Sequence, residues 1–394
     1  MRVSLRPLSG SVKGTSITAV HAIAVKVPRR RELLPKTAHG EVPSSEYALI
    51  QIETASGHRG VGEATTAPRW NGEDATSSTD LVKQAIGPAL IGLAVEDWPS
   101  IASKIDSIVK NRPFLRTAIE MACLDAEARI RETSVARLLG TSAQTTFANK
   151  IVLPAREPET VEGMAVLALS RGATRLKVKV GTGLSEDLDR VTCVRNLHAG
   201  PLSVDANEGW SPLQTRELVA GIDKLRLSAV EQPFSRFSDS DSAELQRLIT
   251  VPLVADESIW TMGDIRRIAS STSFRYVSLY PGKLGGMRRC VLAASVAEAL
   301  GLGIVIGSNL ELGLGTAAMA HVLSVIPVHD DHIGHDLIGP LYFEHSLVTD
   351  PSFVTFSETS LPNGHGLGVT LDSEAVDRYR FSSVDKKKDT GVWG

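Results

Sequence analysis

Two periodicities divide the chain. Residues 16–27 and 47–53 are rich in Val and Ile and alternate apolar with polar positions, the two-residue period of a half-buried strand. Gly57, Gly60 and Gly62 then punctuate a turn and a third strand ending at Glu63 and Ala64. From Asp80 to Arg137 the apolar positions fall at steps of three and four, as at Ile119, Ala122, Cys123 and Ala126, predicting mostly helix. After Ala148 short apolar runs alternate with helical stretches: 151–153, 176–180, 202–204, 229–230, 253–255, 276–279 and 304–306. Strand alternating with helix predicts parallel βαβ units, and seven in succession predict a barrel rather than an open sheet. The stretch from Cys290 to Gly307 is apolar enough to suggest a membrane span. Glu298, Gly301 and Gly303 interrupt it, so it reads as helix, short turn and buried strand.

Composition changes this picture little. The chain has 394 residues, 42% of them hydrophobic, enough for a core larger than one small domain needs. Charged residues make up 22% with a formal net charge of −3, so no bulk field favours nucleic acid or an anionic membrane. Cys123, Cys193 and Cys290 are far apart, which argues against a disulfide framework or a cysteine zinc site and predicts a reducing, cytoplasmic setting. The basic leader up to Gly14 lacks the apolar stretch of a signal peptide.

Candidate chemistry sits where the apolar runs end: Lys177-Val178-Lys179, Asp205-Ala206-Asn207, Glu231-Gln232-Pro233 and Asp256-Glu257-Ser258. Lys179 to Asp205 is 26 positions, Asp205 to Glu231 is 26 and Glu231 to Asp256 is 25. One strand–helix unit per step places all four groups on the C-terminal rim, where barrel enzymes build their sites. Lys177 and Lys179 share a strand face, and two neighbouring ammonium groups lower at least one pKa, which suits a general base. Asp205, Glu231 and Asp256 offer only oxygen ligands, the preference of a hard cation: Mg²⁺, with Mn²⁺ as the alternative. A metal on a substrate carboxylate stabilises the enediolate left by α-proton loss. No organic cofactor is expected, since the glycine-rich phosphate fingerprints of a dinucleotide fold are missing.

With these residues in place the chain resembles the enolase superfamily, in its mandelate racemase/muconate lactonizing enzyme family and the muconate-lactonizing subgroup with its KxK strand. The likeness rests on EYALIQIETASGHRGVGEA at 46–64, LKVKVG at 176–181, the three acids, GSNLELGLGT at 307–316, DLIGPLYF at 336–343 and GLGVTLD at 366–372. A lysine base and a magnesium-stabilised intermediate are general properties of that superfamily. The resemblance implies an α/β fold: a modified (β/α)7β TIM-like barrel at 149–350, an α+β capping domain at 1–148, and a segment at 351–394 returning to the cap. It implies Lys179 as base, Lys177 as its tuning neighbour, the three acids as metal ligands and Glu311 as the family's glutamate. The subgroup carries a second lysine before a double glycine. This chain reads Tyr280-Pro281-Gly282-Lys283-Leu284-Gly285-Gly286, which leaves Tyr280 or Lys283 for that position. Racemisation needs an acid or base on each face of the intermediate, and tyrosine is a weak base.

The expected activity is therefore a cycloisomerase or lyase on a small carboxylic acid. A racemase or epimerase of an amino-acid or hydroxy-acid derivative is the runner-up, and a non-catalytic acid-binding relative the third reading. The acid-x-acid pattern of dipeptide epimerases is missing, since 336–338 reads Asp-Leu-Ile, and no His–Asp pairing of the mandelate racemase subgroup is evident. Asn207, Arg29, Trp70 and Ser308 are candidate substrate-binding residues. Arg29, with Arg30 and Arg31, falls in the region of the substrate-covering loop, and Trp70 in that of the second specificity loop. His329, Asp330, Asp331, His332, His335 and Asp336 look like a metal cluster but read by default as a solvated loop, and the tail run Lys386, Lys387, Lys388 as solvated charge. The family's habit suggests a homo-oligomer.

Overall fold

The computed structural model of the chain describes residues 14–33, 36–37, 40–41, 43–141, 144–326 and 331–381. The leader up to residue 13, His329, Asp330 and the tail run at 386–388 lie outside the described residues.

Three long strands near the start of the chain form an antiparallel meander: β1 (Ile17–Pro28), β2 (Ser44–Thr54) and β3 (Arg59–Thr66). One face of this sheet carries α1 (Pro113–Ile130), a helix buried along nearly its whole length, Phe114 to Ala128. A helix buried on every side must have two partners. One is β3, and the other is the single turn Pro281–Leu284 of the barrel. Gly60 and Gly62, two residues apart and so on one face of β3, make the first contact feasible. A Cβ on Gly60 would lie 2.0 Å from Ala122 O, and one on Gly62 1.9 Å from Ala118 O, both backbone atoms that cannot turn aside. Gly62→Ala is therefore expected to lower stability by about 1–3 kcal/mol or more, read as a drop in melting temperature. An unchanged melting temperature would contradict this packing.

The seven apolar runs become seven parallel strands: β4 (Ile151–Leu153), β5 (Leu176–Lys179), β6 (Leu202–Asp205), β7 (Ala229–Glu231), β8 (Leu253–Ala255), β9 (Tyr276–Leu279) and β10 (Gly303–Ile306). They pair in chain order into one curled sheet, a modified TIM-like barrel. The stretch before β10 is helix α2 (Met287–Ala299) followed by a turn, as the interrupting residues implied. A regular eighth strand is absent among the described residues. Its place is taken by His335 and Asp336. His335 N–H donates to Ala148 O (2.8 Å), Lys150 N–H donates to His335 O (2.9 Å), and Asp336 N–H donates to Ile306 O (2.9 Å). Those bonds span the gap between the first and last strands. Gly334, in the left-handed region at φ +79°, precedes them, and the turn of helix Gly339–Tyr342, with Pro340, follows, so no longer strand forms. His335 and Asp336 thus turn inward and are buried, which corrects the expectation of a solvated loop there.

After the barrel the chain returns to the cap, where β11 (Arg380–Phe381) pairs with the outer edge of β1. A buried histidine ties the two regions. His321, on α3 (Gly313–Leu323), accepts at Nδ1 from Ala136 N–H (3.1 Å) and reaches Leu367 O through Nε2 (3.0 Å). Burial lowers its pKa from 6.5 to about 4. The unfolded chain therefore binds the proton first as pH falls, and the stability of the neutral form is lost from pH 6.5 down towards 4. That loss is about 2 kcal/mol by pH 5. Denaturation midpoints at pH 7 and pH 5 should differ less in His321→Gln than in the unaltered chain.

Candidate active site

Strand register sets the site. Lys179 pairs with Asp205, and Asp205 with Glu231, so the ends of β5, β6 and β7 stand at one level. Asp256 follows β8 directly. Lys179 Nζ donates to Asp205 Oδ2 (2.6 Å) and to Asn207 Oδ1 (2.9 Å). Lys177, one layer deeper, donates to Asp336 Oδ2 (2.6 Å) and Glu231 Oε2 (3.0 Å) and lies 3.5 Å from Asp205. Asn207 has φ 43°, a left-handed conformation that asparagine tolerates, and its amide donates to Glu257 Oε1 (3.0 Å).

The charges do not behave as two bare ammonium groups would. Burial by itself would lower Lys177, but Asp336, Glu231 and Asp205 raise its pKa well above the ordinary lysine value. The expectation that mutual repulsion dominates the pair fails at Lys177 because three carboxylates surround it. Burial would raise Asp205, yet Lys179 and Lys177 hold it at about 2. Glu231 is pushed up to about 7 by burial, with Lys177 opposing and Asp205 assisting. Glu257 is pushed to about 8 by burial and by its neighbours Asp256 and Asp205, and its Oε2 is buried without a hydrogen-bond partner.

These groups open into a cavity of about 620 Å³ between rim and cap. Of the residues singled out from the sequence, Arg29, Trp70, Lys177, Lys179, Asp205, Asn207, Glu231, Asp256, Tyr280 and Ser308 all line it. Arg29 enters from the cap, its guanidinium held by Ser45 Oγ (2.8 and 3.0 Å) and set over the Phe343 ring. Trp70 stacks on Tyr280, centroids 6.0 Å apart at 21°. Tyr280 follows β9, four strands along the curled sheet from Lys179 and so across the barrel mouth. Burial, then the nearby carboxylates, raises its pKa well above 10.

Two candidates stand apart from the cavity lining. Lys283 is buried with Nζ on Asp256 O (2.7 Å), Asp256 Oδ1 (2.5 Å) and Ser278 O (3.0 Å). Glu311 accepts from the Ser308 hydroxyl (2.5 Å) and Asn309 N–H (3.1 Å), and burial raises its pKa.

Sequence reading missed Lys150, fully buried with Nζ 3.9 Å from Asp336, and the role of Asp336 itself. A signal for Lys150 existed. It precedes Val152 by two positions, the same strand face, and Val152 lines the cavity. Among the described residues no group of three or more His, Cys, Asp or Glu side chains is drawn together tightly enough to hold a metal ion as it stands. The lysines occupy the spaces between the acids.

A capped parallel barrel with lysines and carboxylates converging on its C-terminal rim defines an α/β-barrel enzyme acting on a small molecule. Comparison with known proteins narrows the class. Residues 19–140 match the model of the mandelate racemase/muconate lactonizing enzyme N-terminal domain, and residues 160–376 that of the enolase C-terminal domain-like family. Muconate cycloisomerase 1 of Rhodococcus opacus is 30% identical over 92% of this chain and 98% of its own length. The N-succinyl-L-Arg/Lys racemase of Bacillus cereus is 26% identical over 91% of this chain and 96% of its own. The crystal structure of muconate lactonizing enzyme from Pseudomonas fluorescens complexed with muconolactone superposes with a TM-score of 0.87 at 25% identity, covering 93% of this chain and all of that one. The chain belongs to the mandelate racemase/muconate lactonizing enzyme family of the enolase superfamily. Muconate and chloromuconate cycloisomerases predominate among its relatives. No helix among the described residues is long and apolar enough to cross a membrane.

Proposed function

We propose that this chain is a Mg²⁺-dependent cycloisomerase or lyase in which Lys179 moves the proton on the carbon next to a substrate carboxylate. One observation carries the reading. Lys179, its side chain 14% exposed, presents its amine to the cavity at the rim, whereas the deeper Lys177 is committed to three carboxylates, and the position across the barrel mouth holds Tyr280. A tyrosine held well above its ordinary pKa stays protonated and cannot serve as a base. One base on one face suits ring closure, ring opening or syn elimination, in which a single proton is removed or delivered.

Membership of the enolase superfamily implies Mg²⁺ dependence, and the donor set fits the ion. Asp205, Glu231 and Asp256 are all-oxygen ligands at successive strand ends, and Glu257 Oε2 is a buried oxygen left without a hydrogen-bond partner beside them. When bound, Mg²⁺ on these three residues would counter the charge that proton loss leaves on the substrate carboxylate. The chain's own groups do the rest. Lys179 Nζ takes or returns the proton. Lys177, kept charged, holds Asp205, Glu231 and Asp336 in register. Arg29 is placed to take a substrate anion from the cap side, where a guanidinium offers two parallel donors. Trp70 and Tyr280 form an apolar wall that excludes water.

The test is incubation with Mg²⁺ and a panel of carboxylic acids in D₂O, muconate and its chlorinated forms included, followed by mass and product analysis. Ring closure or loss of a small molecule without inversion is the expected result. Deuterium entry with inversion would replace this reading with a racemase, the activity its Bacillus relative's name carries.

A further inference from the structure

The seam between cap and barrel holds a second concavity, of about 380 Å³, on the far side of the aromatic wall from the active cavity. Its charged lining is one-sided: Lys110, Arg112, Arg116 and Arg289 face a single carboxylate, Asp106. Lys283 also lines it, but its Nζ is turned to Asp256 and offers nothing to the cavity. Arg116 is the anchor. Its side chain is 10% exposed, its Nη1 donates to Gly285 O (2.7 Å), and its guanidinium sits over Trp98 at 5.2 Å. Its Nε is buried with no hydrogen-bond partner, the nearest carboxylate oxygen being Asp106 Oδ1 at 3.5 Å. Burial and the adjacent Arg289 both press its pKa down. Arg112 gives one donor to Ser77 Oγ (3.2 Å), and Lys110 and Arg289 are exposed and make no ion pair among the described residues. The N–H groups of Phe114 and Leu115 at the start of α1 are taken by the Glu73 carboxylate, so the donors here are side chains and not a helix terminus.

Three guanidinium groups and an ammonium border the concavity, and Asp106, paired with Arg116, is the one acid in its lining, so the lining as a whole is cationic. We infer that this cavity is a second ligand site, for a small doubly charged oxyanion such as inorganic phosphate or a short dicarboxylate. Planar guanidinium donors match either anion, and partial burial strengthens each contact over its value in water. The site shares a wall with the active cavity. Trp260 lines the second concavity and lies 5.1 Å from Trp70, which in turn stacks on Tyr280. Occupancy is therefore readable in tryptophan emission.

The experiment is calorimetric titration of the full chain in low salt with inorganic phosphate and, separately, with succinate, alongside tryptophan fluorescence. Saturable binding of at least one anion is expected, the tighter of the two showing whether the cradle prefers a compact or an extended dianion. Lys110→Ala/Arg289→Ala, at two exposed positions that leave the fold intact, should weaken that binding by about tenfold or more and remove the emission change. Arg29→Ala, in the active cavity, should leave both unaltered. No saturable binding of either anion, or binding that survives the double substitution and disappears in Arg29→Ala, would overturn the inference. The readout is binding, so it stands or falls independently of which reaction the active cavity performs.

Discussion

Lys179→Ala should lose about 10²–10⁴-fold in kcat while keeping its fold, the range general acid–base groups contribute. The side chain is 14% exposed, and among the described residues its amine is bonded to Asp205 and Asn207. Removing it leaves Asp205 still 3.5 Å from Lys177, so the nearest buried acid keeps a counter-charge. Chemistry and stability are thereby separated. Turnover and solvent-deuterium exchange should both collapse, and the melting temperature should hardly move. A variant that exchanges the α-proton at the original rate would remove Lys179 from the reaction altogether.

Lys177→Met is expected to behave in the opposite order. This side chain is 3% exposed, and its ammonium touches Asp336, Glu231 and Asp205 within 3.5 Å. Taking it away strands three acids in a space with little water, and breaking a buried ion pair from one side costs about 3–5 kcal/mol. The acids would answer by binding protons, so the loss should be largest at high pH and shrink as pH falls. Denaturation midpoints for the two lysine variants across pH 5 to 8 check this. If Lys177→Met proved as stable as the unaltered chain, the barrel interior would have to admit water or a cation that neutralises those acids.

Much of the architecture was legible because strands end where their apolar runs end. The steps of 26, 26 and 25 positions from Lys179 through Asp205 and Glu231 to Asp256 reflect one barrel unit each, and pairing of Lys179 with Asp205 and of Asp205 with Glu231 brings them level. The closure at His335 and Asp336 was not legible. It rests on two residues of backbone hydrogen bonding, too short for any periodicity to register. Lys150 escaped for a related reason. A charge deep in a barrel looks, in sequence, like a polar residue at the start of a strand, and its parity with Val152 becomes informative only once Val152 is seen to line the cavity. The likeness to the family's glutamate did not convey that Glu311 sits outside the cavity lining, since its carboxylate is committed to Ser308 and Asn309. The cationic seam was equally hidden. Lys110, Arg112 and Arg116 lie close together in the chain, but Arg289 comes from a distant segment, and only the fold brings it to them.

The pairing of Arg380–Phe381 with β1 has a consequence for how such a chain can be rebuilt. The lid over the reaction chamber is discontinuous in the gene, with its outermost strand encoded more than three hundred residues after its first. A chimaera that exchanges only the leading third with a relative inherits a lid whose edge still belongs to the other parent. Recombination aimed at a new substrate would do better to move both ends together and leave the intervening barrel in place.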